Sequence, residues 1–175
     1  MTRVVIQPSY GLPRFRRHWA QTLDRTVAFG AHREALDAGE LADLRALHPS
    51  GEAHFWGATA AHDRRMAQLG TGDVVLLTGR KHVLAVGEVG LVLRSPAFAR
   101  ALWNPEPDVC SWDNVYSLLA LARTRIPYQA VWALPGFNAG DNFMGLRLLD
   151  DARAAAVLSG LAISTTTSGT GFAVR

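Results

Sequence analysis

The chain has 175 residues, 49% of them apolar and 19% charged, enough for one ordinary domain with a full core. No run approaches the roughly 18 apolar residues of a membrane span, and the start, MTRVVIQPSYG, lacks the basic-then-apolar order of a signal peptide. The single cysteine, Cys110, excludes an intramolecular disulfide and a cysteine-based zinc site, so a cytoplasmic protein without membrane association is the expectation. The net charge of +3 is unevenly spread. Residues 1–33 hold six Arg against Asp24, 34–53 five acids against Arg45, 54–103 six bases against three acids, and 104–175 five Arg against six acids. Lys81 is the only lysine. Codon bias in a GC-rich genome accounts for most of the preference for Arg. The clustering is what bears on partners, because guanidinium forks bind phosphate bidentately.

In chain order, RVVIQP (3–8) is a short β-branched strand ended by Pro8 and a Ser-Tyr-Gly turn. A basic helix runs from Pro13, a favourable first helical residue, to Leu23. Phe15, Trp19, and Thr22 or Leu23 form its apolar stripe, and Arg14, Arg16, Arg17 and His18 crowd the rest. Residues 32–49 set Leu36, Leu41, Leu44 and Leu47 at helical spacing, with Gly39 as a break point and Pro49 as a stop. From residue 53 the period changes. AHFWGAT (53–59) reads as a strand entering a loop, and HDRRMAQL (62–69) as a short basic helix. Residues 73–78 and 82–93 form a hairpin joined by Gly-Arg-Lys, with Gly87 and Gly90 as bends. Ser95-Pro96 opens a helix through Trp103, and NPEPDV (104–109) is loop. Residues 111–127 fit either element: Leu118, Leu119, Leu121 and Ala122 suit a helix, while Val115, Tyr116 and the closing Ile-Pro suit a strand. GFNAGDNFMGLRLL (136–149) is a glycine-rich loop entering a strand, and residues 150–161 are a helix capped by Asp150 or Asp151. The Ser/Thr/Gly-rich residues 164–175 read as a linker or frayed tail with room for a final strand. The sum is an α+β domain of five or six short, bent strands: a small, partly closed β-barrel with helices packed outside.

Enzyme signatures mostly fail. GTGDVVLLTGRK brackets a strand with glycines and has no Ser or Thr after Lys81, so it is a hairpin and not a phosphate-binding loop. The six histidines are scattered, and His54 and His62 lack a carboxylate between them to complete a metal motif. No nucleophile elbow or paired-carboxylate pattern appears, and Cys110 lies in an acidic stretch that does not activate a thiol. The aromatic residues are more informative. Trp56, Trp103 and Trp112 each stand where a regular element meets a loop, and Tyr116 follows Trp112 by four. A lone Trp at such a place is usually core. Three together offer the flat faces on which an extruded base stacks, at about 1–3 kcal/mol per base, and a methyl group on that base would fill an apolar cage. Thr59, Asn104, Asp113, Asn114, Asn138, Asp141 and Asn142 supply groups able to read a base edge, although Asn and Asp most often simply build turns. Arg14, Arg16, Arg17, Arg64, Arg65, Arg80 and Lys81 are the candidates for clamping phosphates beside a flipped nucleotide.

The ordered series HFWGAT, GTGDVVLLTG, VLAVGEV, ARALW, SWDNVYSLL, Ile126-Pro127 and FMGLRLL resembles the EVE/YTH-like branch of the PUA superfamily, in the versions found in bacterial modification-dependent restriction systems. No single motif is specific; what weight the resemblance has lies in their order. It covers residues 53–149, and HWAQTL resembles, more weakly, what precedes such domains. The resemblance implies a strand over 111–127 and three parts to the chain. Residues 1–52 would be a strand and helical segment packed on the barrel, 53–163 the PUA/EVE-like reader, and 164–175 the tail or linker. It also implies a base-flipping reader whose aromatic cage pairs Trp56 with Trp103 or Trp112, and whose base-edge contacts come from Thr59 and the Asn138–Asn142 loop. The wording of eukaryotic YTH domains is missing around these positions, so methylated or hydroxymethylated cytosine and N6-methyladenine stand equally.

The leading expectation is therefore a DNA-binding module of a modification-dependent restriction system, binding double-stranded DNA that carries a modified base. Its base pocket would comprise Trp56, Thr59, Trp103, Trp112, Tyr116, Asn138, Asp141 and Asn142, with no catalytic residue, metal or cofactor. A fused or associated nuclease would be its partner. The alternatives are an RNA-binding PUA/YTH-like module and, third, an enzyme acting on a nucleotide or small molecule.

Overall fold

A computed structural model of the protein describes residues 1–103 and 112–175. The expected 104–109 loop, with Asn104 as a base-edge candidate, and Cys110 lie outside the described residues. Among the described residues there are seven strands: β1 (Val4–Pro8), β2 (Val27–Ala28), β3 (Glu52–Thr59), β4 (Val74–Gly79), β5 (His82–Arg94), β6 (Trp112–Pro127) and β7 (Arg147–Leu148). Six α-helices accompany them: α1 (Pro13–Thr22), α2 (Ala38–Leu47), α3 (Asp63–Met66), α4 (Pro96–Trp103), α5 (Tyr128–Trp132) and α6 (Asp151–Gly160). The fold is α+β. Its strands are hydrogen-bonded in the order β2-β3-β6-β5-β4-β1-β7. The pairing is mixed: β1 runs parallel to β4 and antiparallel to β7, and β3–β6 and β4–β5 are antiparallel. Where a partly closed barrel was expected, this order has two ends. Each end is a two-residue strand, which leaves few unpaired backbone groups to template another chain.

The chain divides into two compact units. The first comprises Met1–Phe15, Gly72–Glu88 and Ala120–Arg175. Its core residues alternate along β1 (Val4, Ile6) and β4 (Val74, Leu76) and are three apart on β5 (Val83, Val86), where the pairing register shifts. Ala154, Val157 and Leu161 join them from α6 at helical spacing, along with Tyr128, Val131 and Phe143. Val5, Val75 and Leu77 point the other way and are equally buried, which explains the unbroken apolar runs VVI and VVLL. Helix α6 is capped by Asp150, whose side chain accepts from the Arg153 N–H at 2.8 Å.

Residues 164–175, expected as a linker or frayed tail, fold back on this unit. Ser164 and Ala173 exchange backbone hydrogen bonds of 3.0 and 3.2 Å, and Phe172 and Val174 pack against the core. The fully buried carboxylate of Glu88 fastens the segment. One oxygen accepts from the N–H and hydroxyl of Thr166 at 2.7 and 2.8 Å; the other accepts from those of Thr167 at 3.1 and 3.0 Å. A threonine-rich run with no periodicity is what such a cage requires: hydroxyls next to free backbone donors.

The second unit comprises Arg16–Thr71 and Val89–Leu119. The helix expected over 32–49 is here two pieces. A 3-10 turn, Phe29–Ala35, precedes α2, which begins only after Asp37. Asp37 accepts from the Glu40 N–H at 2.7 Å while Glu40 accepts from the Asp37 N–H at 2.9 Å, a reciprocal capping box spelled in the sequence as Asp-Ala-Gly-Glu. The expected 62–69 helix shortens to a 3-10 turn, Ala60–His62, and the single turn of α3. Phe29, Phe55 and Phe98 pack edge to face at 6.5 and 5.2 Å between centroids, with Leu44 and Met66 fully buried in the same unit.

Ser117 and His48 make a buried polar pair in this unit, under Gly90, where any side chain would meet both. Ser117 Oγ accepts from the Leu91 N–H at 2.9 Å and shares a hydrogen bond of 2.8 Å with His48 Nε2. Burial holds the His48 pKa below its ordinary 6.5. Unfolded chains therefore take up this proton first as pH falls. The contribution to stability is complete above about pH 6.5 and is lost between there and the lowered native value. Burial and the Arg65 charge lower His62 in the same sense. We expect urea denaturation to show lower stability at about pH 5.5 than at about pH 7.5, and His48→Gln to shrink that difference.

Candidate nucleic-acid interface

The second unit collects the aromatic residues singled out in the sequence. Trp56 lies within β3, Trp103 ends α4 and Trp112 begins β6. Their rings meet edge to face: centroids are 4.9 Å apart for Trp56–Trp112, 4.8 Å for Trp103–Trp112 and 6.4 Å for Trp56–Trp103, with planes 70–81° apart. Gly57 makes this possible. A Cβ there would collide with the Asn114 carbonyl and lie 2.9 Å from the Trp112 ring and 3.1 Å from that of Trp103. All three indoles are buried, Trp56 completely. A base stacked between two of them needs near-parallel faces with room for a third ring between them; here the rings are perpendicular and touching.

Helix α1 supplies residues that the sequence did not assign to this group. His18 lies 4.9 Å from the Trp112 ring and 5.7 Å from that of Trp103, and Trp19 lies 5.9 Å from Trp56. Thr22, on the same helical face, donates to the Phe55 carbonyl at 2.6 Å and accepts the Trp103 indole N–H at 3.2 Å. The indole N–H of Trp19 donates to Asp24 at 3.1 Å. That of Trp56 is buried and has no partner among the described residues. Tyr116 is paired in register with Trp56 and fully buried, and burial pushes its hydroxyl well above the usual tyrosine range.

The half-buried Thr59 ends β3 at a register shift opposite Trp112. Its carbonyl accepts from the Asn114 amide at 3.2 Å, and the same amide donates to Asp63 at 2.7 Å. Arg94 bridges Asp63 and Asp113 at 3.0 and 3.3 Å. The Asn114 and Arg94 hydrogen bonds hold the Asp63 carboxyl below the usual range. Asp113 and Asn114, read as base-edge candidates, thus take part in a network that ties β3, α3, β5 and β6 together.

The remaining candidates are divided. Arg16 and Arg17 on α1, and the exposed Arg64 and Arg65 on α3, share the second unit with the indoles. Asn138, Asp141, Asn142, Arg14, Arg80 and Lys81 belong to the first. There Asn138 and Asn142 are exposed. Asp141 builds its own turn: its carboxylate accepts from the Phe143 N–H at 2.8 Å and from Arg147 at 2.6 Å, and its carbonyl accepts the Trp132 indole N–H at 2.9 Å. The Arg147 hydrogen bond holds its carboxyl below the usual range. Arg14 lies over the Phe15 ring and Arg80 over that of Tyr10, at 5.3 and 5.0 Å. Arg80 and Lys81 form the two-residue β4–β5 turn with both φ positive, at 51° and 59°.

No family model matches the chain, and no curated protein matches it in sequence. Among solved structures the fold is similar to the N-terminal domain of Thermococcus gammatolerans McrB bound to m5C DNA. The TM-score is 0.65 at 14% identity, over 92% of this chain and 98% of that one. At that identity the likeness is one of fold.

Proposed function

We propose that the protein is a DNA-binding module that recognises a modified base, 5-methylcytosine first, by extruding it from the duplex against the Trp56–Trp103–Trp112 cluster. One observation carries the reading: nearly the whole chain shares its fold with nearly the whole of a domain described in complex with m5C DNA. The motif order that resembles PUA-superfamily readers points the same way. In that reading the bent strands form the small, partly closed barrel of such domains, and the module supplies the specificity of a modification-dependent restriction system. Cleavage belongs to a fused or associated nuclease.

The chemistry follows from the residues. Flipping a base costs a few kcal/mol of stacking and pairing. One aromatic face returns about 1–3 kcal/mol of it, and an added methyl group brings more apolar surface to bury. Because the indoles touch one another, the base enters only after Trp103 or Trp112 swings aside. Both are terminal residues of their elements, whereas Trp56 is held within β3 by pairs on either side. Thr59 lies at the strand end for contact with the base edge. Arg16, Arg17, Arg64 and Arg65 hold the flanking phosphates in the second unit, and Arg14, Arg80 and Lys81 are the phosphate-binding candidates of the first. In the first unit, the exposed Asn138 and Asn142 are the base-edge candidates, on a loop that Asp141 shapes.

The test is binding at fixed salt to matched duplexes that are unmodified or carry 5-methylcytosine, 5-hydroxymethylcytosine or N6-methyladenine. A preference of tenfold or more, about 1.4 kcal/mol, for one modified duplex supports the reading; equal, salt-sensitive binding to all defeats it. The arginine–phosphate pairs have a separate signature. Arg64→Ala with Arg65→Ala should weaken binding to modified and unmodified DNA alike. The slope of log K against log salt should become shallower by about 0.9 for each phosphate no longer neutralised, with the preference unchanged.

A further inference from the structure

We infer that the indole N–H of Trp56 is a base-reading donor, which hydrogen-bonds an acceptor atom on the edge of the extruded base. This rests on the DNA-reading function proposed above and goes further than a stacking role.

The observation behind it is a donor left over in a place where donors are otherwise used. Trp56 is completely buried, and its N–H has no partner among the described residues. In the same unit the Trp19 N–H reaches Asp24 and the Trp103 N–H reaches Thr22. Buried polar groups are nearly always paired, so an exception calls for a reason. Packing alone gives none, because an apolar ring would fill the space without the unpaired group. The ring is also well fixed: β3 pairs with β6 from His54 to Thr59, and Trp19, Trp103 and Trp112 abut the indole edge to face. A fixed donor among aromatic rings complements a neutral acceptor on a flat partner. Cytosine and 5-methylcytosine both offer O2 and N3, and the 5-methyl group leaves these atoms unchanged, so the N–H would read the base while the rings hold the methyl. Opening the cluster onto such a base gives the donor the partner that the closed cluster withholds.

The decisive experiment replaces Trp56 with β-(3-benzothienyl)alanine, which keeps the shape of the bicyclic ring and puts sulfur in place of N–H. Trp56→Phe serves as a second variant lacking the donor. Melting temperature and affinity for 5-methylcytosine and unmodified duplexes are measured beside the parent protein. The expected result is a benzothienyl protein that melts no lower than the parent, yet binds the modified duplex at least tenfold more weakly, Trp56→Phe showing the same loss; binding to the unmodified duplex, whose bases stay stacked without a methyl group to reward extrusion, is unchanged. A benzothienyl protein that keeps the parent's modified-duplex affinity within twofold overturns the inference and leaves the reader function standing. A parent without preference for the modified duplex overturns both.

Discussion

Replacing Glu88 with alanine should destabilise the protein by about 3–4 kcal/mol. The carboxylate is fully buried and accepts four hydrogen bonds, two from backbone N–H groups and two from hydroxyls, all from Thr166 and Thr167. Bonds to an ionised acceptor are worth roughly twice those between neutral groups, and cutting out the acceptor leaves a hole beneath four donors at once. Part of the loss is recovered because both threonines are exposed and their donors can turn to water. Glu88→Gln should cost less, since its carbonyl oxygen still serves one threonine while its amide confronts the donors of the other. Urea denaturation would show the midpoint falling at constant m, and limited digestion would show residues 164–175 becoming the first to be cut. A Glu88→Ala protein within 1 kcal/mol of the parent, on the scale of an ordinary surface change, would mean that the carboxylate does not fasten the segment.

Gly57→Ala should be nearly as costly, at about 2–4 kcal/mol, although it adds a single methyl group. The methyl would collide with the Asn114 carbonyl, which is backbone within β6 and cannot rotate away, and would press on Trp112 and Trp103. Relief requires β3 and β6 to part or both indoles to leave their places. The variant should therefore show an altered tryptophan emission spectrum under native conditions and, in the reader function proposed here, weak binding to modified DNA. Ala58→Gly, one residue along the same strand, removes a buried methyl group without intruding on the rings and should leave the emission unchanged. Parental stability and emission in Gly57→Ala would show that the cluster tolerates wider spacing than its geometry implies.

How far the sequence carries depends on length and on partners. β3, β4 and β5 are long enough for their apolar patterns to speak, and Ser95-Pro96 announces α4, where the Phe98 N–H does bond the Ser95 hydroxyl at 3.2 Å. The 111–127 stretch was readable only with the family resemblance, because its first half lies buried in a sheet while its second half alternates between half-buried and exposed. β2, β7 and α5 are two to five residues long and carry no period. α5 forms because Tyr128 and Val131 enter a core assembled from distant segments, and because the Tyr128 N–H meets the Lys81 carbonyl. The start of α2 could have been found from Asp37 and Glu40. At the site, Trp103 and Trp112 do stand at element ends as the sequence suggests, whereas Trp56, expected at one, lies inside β3. The proximity of Trp103 and Trp112 to His18 could not be read, since a helical wheel gives a face but not what that face covers. Nor does spacing reveal that Asp141 spends its carboxylate on its own turn, or that the Trp56 N–H goes unused while those of Trp19 and Trp103 are paired.

The parallel pairing of β1 with β4 also governs how the chain reaches this state. Val4 must find Val74, and His54 must find Leu118, before either sheet segment is complete. Neither pairing can form as a local hairpin, so long loops must close before the pairing repays the chain entropy it costs. Among the described residues, the β4–β5 hairpin is the sheet element able to form early, and until β1 arrives its Val-Val-Leu-Leu strand presents an open apolar edge. Folding should therefore be slow for a chain of this size. A fragment begun at residue 53 would never acquire the strand that covers that edge, and should aggregate more readily than the whole chain.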